Sequence, residues 1–149
     1  PAEYRLAKAV RDTVKWAKSD GDWEKTADRI AAELGFYQGC HTITNAAIVI
    51  LGLAAGQLDF GKTIAIAVMS GFDTDCNGAT AGSIVGTALG AKAIPEKWTA
   101  PLNDTIQSSI NEVSRAKISD LAERTVAIAS RVLNTEGITA SKDPSWNTS

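Results

Sequence analysis

The residues of this chain best suited to chemistry lie in one short segment, Gly71-Phe72-Asp73-Thr74-Asp75-Cys76-Asn77-Gly78. Two carboxylates two residues apart, where a loop enters a helix, can converge on a hard cation from one side. Hard cations take oxygen donors, and Mg2+ commonly uses one or two carboxylates while keeping several waters. The backbone N–H groups of the helix start also favour an anionic ligand there. The same residues admit a plainer reading, in which an Asp at a helix N-terminus caps the backbone and needs no metal. A calcium EF-hand is a third reading, since Asp73, Asp75, Asn77 and Gly78 fall on loop positions one, three, five and six. It fails at the twelfth position, where the required Glu is replaced by Ile84.

A second set of polar residues lies upstream. His41 and Asn45 are one helical turn apart and share a face. A His at a helix start also satisfies local backbone without any ligand. Cys40 or Cys76 beside His41 raises the possibility of a cysteine nucleophile, but a third orienting group is missing. Cys40, His41, Asp73 and Asp75 could suggest zinc, yet no CxxC or HxxxH spacing supports it.

The elements that must position these residues are helical almost throughout. Tyr4 to Lys18 sets Leu6, Ala9, Val10, Val14 and Ala17 on one stripe. Asp22 caps a second helix to Leu34, with Gly35 as its stop. A third helix begins near His41, is apolar on most faces from Ala46 to Ala55, and ends at Gly56. Asp59 caps a fourth, Phe60 to Ser70; its IAIAVM stretch has strand-like content, but no hairpin turn chemistry flanks it. A fifth runs from about Cys76 to Leu89, after a polar loop from Gly71 to Asp75. It carries Gly78, Gly82, Gly86 and Gly90 at four-residue spacing. Each interior Gly costs roughly 1 kcal/mol against Ala, so the stripe implies either a closely packed neighbouring helix or a ligand pressed on bare backbone. Ile94 to Trp98 reads as a helical turn with Pro95 at its first position, and Trp98 as a packing anchor. Asn103 to Val113 and Ile118 to Leu133 are expected to complete the helices, the last with Leu121, Val126, Ile128, Ala129 and Val132 toward a core. The expected organisation is one all-α unit over residues 1–134, without an internal linker, and a polar tail over 135–149.

Composition bounds the partners. With 15 Lys+Arg against 17 Asp+Glu, the net charge of −2 offers no broad attraction for nucleic acid or an anionic membrane. The most apolar run, Ala46 to Gly56, is far short of the ~20 residues a spanning helix needs. Two cysteines cannot scaffold a disulfide mini-protein and favour a reducing, cytoplasmic setting. The start at Pro1, without Met or signal peptide, suggests a boundary inside something longer.

The run SGFDTDCNGATAGSIVGTALGAKAIPEKW resembles the C-terminal signature of the ADP-ribosylglycohydrolase family, which includes the dinitrogenase reductase-activating glycohydrolase. The features shared are Gly71, the Asp73-Thr74-Asp75 loop, the Gly78 to Gly90 stripe, Ile94-Pro95 and Trp98. The upstream HTITNAAIVILGLAAGQLDFGKTIAIAVMSG resembles the two helices leading into that loop. The likeness is close over residues 36–98 and looser on either side.

The resemblance implies an all-α hydrolase with two metal ions, Mg2+ or Mn2+, that cleaves the N- or O-glycosidic bond joining ADP-ribose to a protein side chain or small acceptor. Asp73 and Asp75 match two aspartate ligands of that site. The next position is usually a ligating Thr or Ser; here it is Cys76, a poor Mg2+ donor, so Asn77 or water would substitute. By the same resemblance His41, Asn45, Gly71 and Thr74 are expected near the substrate. No Thr-Asp-Asp run, the other half of the family's metal site, is present. The likeness is therefore to the C-terminal half, with the N-terminal half as the implied partner and this chain inactive by itself. A non-catalytic relative, structural or ADP-ribose-binding, is the competing expectation.

Overall fold

The computed structural model describes residues 4–135. Its α-helices are α1 (Arg5–Asp20), α2 (Trp23–Leu34), α3 (Thr42–Gly56), α4 (Phe60–Met69), α5 (Thr74–Leu89), α6 (Glu96–Thr99) and α7 (Ile118–Thr135). A short antiparallel pair, β1 (Thr105–Gln107) and β2 (Arg115–Lys117), is joined in the register Thr105 to Lys117. The fold is all-α, as expected. By its internal packing the chain divides into two compact units, Pro1–Pro95 and Glu96–Ser149.

Helix ends in the first unit follow from local chemistry. Gly21, at φ 62°, ends α1 in the left-handed conformation that costs glycine nothing. Asp22 then caps α2 by accepting from the backbone N–H of Glu24 at 2.9 Å. Gln57 and Leu58 both take positive φ, a tight reversal from which Asp59 caps α4 through the Lys62 N–H at 2.7 Å.

The central element is α3, which packs against α1, α2, α4 and α5. Its uniformly apolar sequence is what a helix surrounded by others requires. Ala47, Ile48 and Leu51 are fully buried, and with Ile30 and Ile66 they form the core, joined by Trp16, Trp23 and Phe72 at its margin. Residues 60–69 are helical, so the strand alternative falls away.

The glycine stripe of α5 is a groove for α4. A Cβ on Gly78 would lie 2.8 Å from Val68 Cγ2, one on Gly82 3.2 Å from Ile64 Cδ1, and one on Gly86 3.3 Å from Phe60 Cε2. Phe60, Ile64 and Val68 are themselves four apart, so one ridge of α4 fits the bare strip of α5. Helix packing, not a ligand, therefore accounts for these three glycines. Gly90 does something else: at φ 78° it follows the last turn of α5 with open space around it.

The second unit departs from the sequence reading. A helix was expected over Asn103 to Val113, but Asn103 and Asp104 take positive φ and the chain enters β1 instead. The αL pair breaks helical continuity, and Thr105 and Ile106 carry the β-branched side chains that suit a strand. The expected core face of α7 is also not formed: Val126 is 66%, Ile128 50% and Val132 54% exposed. A three-residue hairpin is too small to cover an amphipathic helix. Trp98, the expected anchor, is 38% exposed. The tail from Gly137 lies outside the described residues.

Asp104 anchors the start of α7. Its carboxylate accepts from Ser119 N at 2.9 Å and Ser119 Oγ at 2.6 Å. The hydroxyl bond first, and then the backbone bond, hold its pKa below the ordinary carboxylate value. A carboxylate depressed on folding stabilises above its unfolded pKa, and that contribution is lost as pH falls through the folded value. Acidification below about pH 4 should therefore speed amide exchange at Ile118 and Ser119 ahead of α3. Asp104→Asn should remove that pH step; an unchanged exchange profile in the variant would refute the cap.

Candidate metal centre

The segment leading into α5 is held in a conformation that its neighbours impose. Gly71 has φ 81° and Phe72 φ 60°, two consecutive left-handed residues that turn the chain sharply after α4. For Phe72 that conformation costs about 1–2 kcal/mol. Its ring offsets the cost by packing against the Ile30–Leu51 core. Asn45, on the first turns of α3, completes the restraint. Its Oδ1 accepts from the Asp73 N–H at 3.3 Å and from Asn77 Nδ2 at 2.8 Å. Its own Nδ2 donates to the Gly39 carbonyl at 2.9 Å and the His41 carbonyl at 3.2 Å. One side chain thus joins the entry to α3 with the entry to α5.

The consequence appears in the Asp73 carboxylate. Asp22, Asp59 and Asp73 each precede a helix, and the first two spend a side-chain oxygen on a backbone N–H. Asp73 makes no such capping bond. Its backbone, at φ −87° and ψ 75°, differs from the extended conformation of the other two. The helix-capping reading therefore does not account for this carboxylate. It lies instead in a cluster with Asp75 and Cys76, whose ligand atoms are all within 4.8 Å of one another. Asp73 is half-buried, and the other two are exposed. The Cys76 thiol is held above its ordinary pKa, first by its hydrogen bond to Asp73 and then by the negative charges of Asp73 and Asp75.

The other expected site residues separate into distinct roles. Asn77 is 2% exposed, donates its Nδ2 to Asn45, and lines the same groove as Asp73 and Cys76. His41 is the N-cap of α3: its Nδ1 accepts from Ile43 N at 3.2 Å, and its ring stacks on Tyr37 at 4.1 Å. Gly71 supplies the turn, and Thr74 is the half-buried first residue of α5. Phe72 went unremarked in the sequence, although an aromatic between Gly71 and Asp73 was a visible signal of an anchored loop.

An open groove of about 430 Å3 adjoins the cluster. Asp73, Cys76 and Cys40 border it, and Leu6, Val10, Ala46, Val49 and Ile50 supply its apolar walls. A larger cavity, about 730 Å3, opens elsewhere, beside Val14, Trp23 and Lys62, and includes none of the expected site residues. The chemistry-bearing side chains favour the smaller one. Among the described residues no helix is long and apolar enough to cross a membrane.

Asn45→Ala should show how much of this arrangement depends on one amide. It leaves the buried Asn77 amide without its partner, at a cost of about 1–3 kcal/mol. Chemical denaturation should register that loss, and divalent-metal affinity should fall with it as the Asp73 loop loosens. Wild-type stability in the variant would overturn the role.

Taken together, an all-α fold, a glycine-lined helix pair and an acidic loop free of capping duty define a helical protein with a candidate divalent-cation site. The chain belongs to the ADP-ribosylglycohydrolase family, whose model matches residues 1–135. That match extends the resemblance beyond residues 36–98 to nearly the whole chain. Comparison with curated proteins and with solved structures gave no match.

Proposed function

We propose that this chain forms one wall of a metal-dependent hydrolase site that cleaves the glycosidic bond between ADP-ribose and a protein side chain or small acceptor. The observation that carries the reading is the Asp73 carboxylate, withheld from capping and gathered with Asp75 and Cys76 in a member of the ADP-ribosylglycohydrolase family.

Two carboxylates that converge at a helix start fit Mg2+ or Mn2+; the third donor, sulfur, does not. Asp73 and Asp75 are therefore the residues that would hold the metal. When bound, divalent ions at such a site supply Lewis acidity and a water of lowered pKa beside the scissile bond. The work of this chain is positional. Asp73 and Asp75 ligate rather than move protons, and Asn45 and Phe72 keep the loop in register. The apolar groove excludes water from one side of the substrate. The remaining ligands and the acid–base carboxylates, in this reading, come from an N-terminal part of the same site, which is the proposed partner of this chain.

The test is metal removal. Release of ADP-ribose from a modified substrate by the protein carrying this chain should stop on chelation and return on adding Mg2+ or Mn2+. Cys76, a thiol where oxygen is usual, favours the second reading, a non-catalytic relative. That reading predicts no release with any metal, together with retained ADP-ribose binding or neither property.

A further inference from the structure

We infer that Cys76 makes the Asp73–Asp75 site thiophilic, so that a borderline-soft divalent ion such as Zn2+ binds there through two carboxylates and one sulfur in preference to Mg2+. The inference rests on the metal reading of Asp73 and Asp75 given above.

The three candidate donors already lie within 4.8 Å of one another, before any ion draws them together. Asp75 and Cys76 are exposed, so their side chains have rotamer freedom to close the remaining distance. A sphere of two carboxylate oxygens and one sulfur suits Zn2+, which takes sulfur at about 2.3 Å and carboxylate oxygen at about 2.0–2.2 Å, with a fourth position left open. Mg2+ demands near-ideal octahedral oxygen coordination, and a sulfur in its shell displaces an oxygen donor it binds far better. Asn77 donates its Nδ2 to Asn45 and is 2% exposed, whereas Asp75 and Cys76 are exposed. On binding, the sulfur coordinates as thiolate and its proton passes to solvent. Cys40 borders the same groove and is the second thiol that a control must exclude.

The experiment titrates the 149-residue chain with Co2+, then competes with Zn2+, with Mg2+ followed by calorimetry. Wild type should develop the near-ultraviolet sulfur-to-cobalt charge-transfer absorption, retained in Cys40→Ser and lost in Cys76→Ser. Zn2+ affinity should fall at least ~10-fold in Cys76→Ser, while Mg2+ affinity stays level or rises. Co2+ binding that depends on Asp73 but carries no such band, or equal Zn2+ affinity in wild type and Cys76→Ser, overturns the thiophilic assignment and leaves the carboxylate site standing. Binding unaltered in Asp73→Asn, or no binding of any of these metals, removes the carboxylate site and the inference together.

Discussion

Replacing Asp73 by Asn is expected to abolish ADP-ribose release in the protein that carries this chain while leaving its stability intact or slightly raised. The two halves of this expectation come from one feature. Asp73 precedes α5 but gives no oxygen to the helix backbone, so its carboxylate contributes little to holding the helix start. Asn is nearly isosteric, is at least as good an N-cap, and removes a negative charge facing Asp75. Thermal unfolding should therefore place the variant within about 0.5 kcal/mol of wild type, or above it. The loss of a charged ligand should cost several kcal/mol of transition-state stabilisation, about three orders of magnitude in rate. Asp22→Ala and Asp59→Ala are the matched controls. Each loses a real cap, at about 1 kcal/mol, and should leave turnover at low temperature nearly unchanged. Full activity in Asp73→Asn would refute the metal assignment, and a large stability loss would show that the carboxylate had been structural after all.

The largest effect on folding should come from Gly56→Ala. A Cβ at Gly56 would stand 2.0 Å from Thr63 Oγ1, 2.8 Å from Thr63 Cα and 2.9 Å from Thr63 Cβ. Thr63 is fully buried, so none of these atoms can swing into solvent, and α3 and α4 must part. Overpacking of this kind costs about 1–3 kcal/mol, and a backbone clash belongs at the upper end. Gly82→Ala provides the contrast. Its Cβ would meet only the Ile64 side chain, Cδ1 at 3.2 Å and Cγ1 at 3.4 Å, and the helix gains up to about 1 kcal/mol of propensity. Guanidinium denaturation of the two variants should separate them clearly. In the double variant Gly56→Ala with Thr63→Ala, only the Oγ1 contact is relieved, so recovery should be partial. Full recovery would mean that the hydroxyl, not helix spacing, set the limit. The spacing matters for the site because α4 runs directly into the loop that carries Asp73.

Much of the first unit was legible because its determinants are local. Asp22, Asp59 and the glycines at 21 and 35 mark helix ends within one turn of themselves, and the apolar run of α3 declares a central position. The Asp73-Thr74-Asp75 loop and the glycine spacing were likewise readable, and they pointed to the family that the match over residues 1–135 shows. Residues 103–113 were misread because the helix-like spacing of apolar residues there is weak. Two αL residues and a pairing partner ten residues on decided the matter. The face of α7 was misread because periodicity announces a need for burial without showing what will meet it.

By itself, the sequence determined the order of the helices of the first unit and most of their ends, and it placed two carboxylates where one of them begins, although α5 starts at Thr74, two residues before the expected Cys76. Only the tertiary structure decided what those carboxylates are free to do. The bonds from Asn45 to Asp73 and Asn77 span 28 and 32 residues, and no local pattern encodes them. They turn the backbone of Asp73 away from the capping geometry that its neighbours in type adopt at α2 and α4. The same packing turned three of the glycines into a seat for α4. A side chain's chemistry follows from its type, but its availability depends on which distant groups already claim its oxygens, and that is settled only when the helices pack.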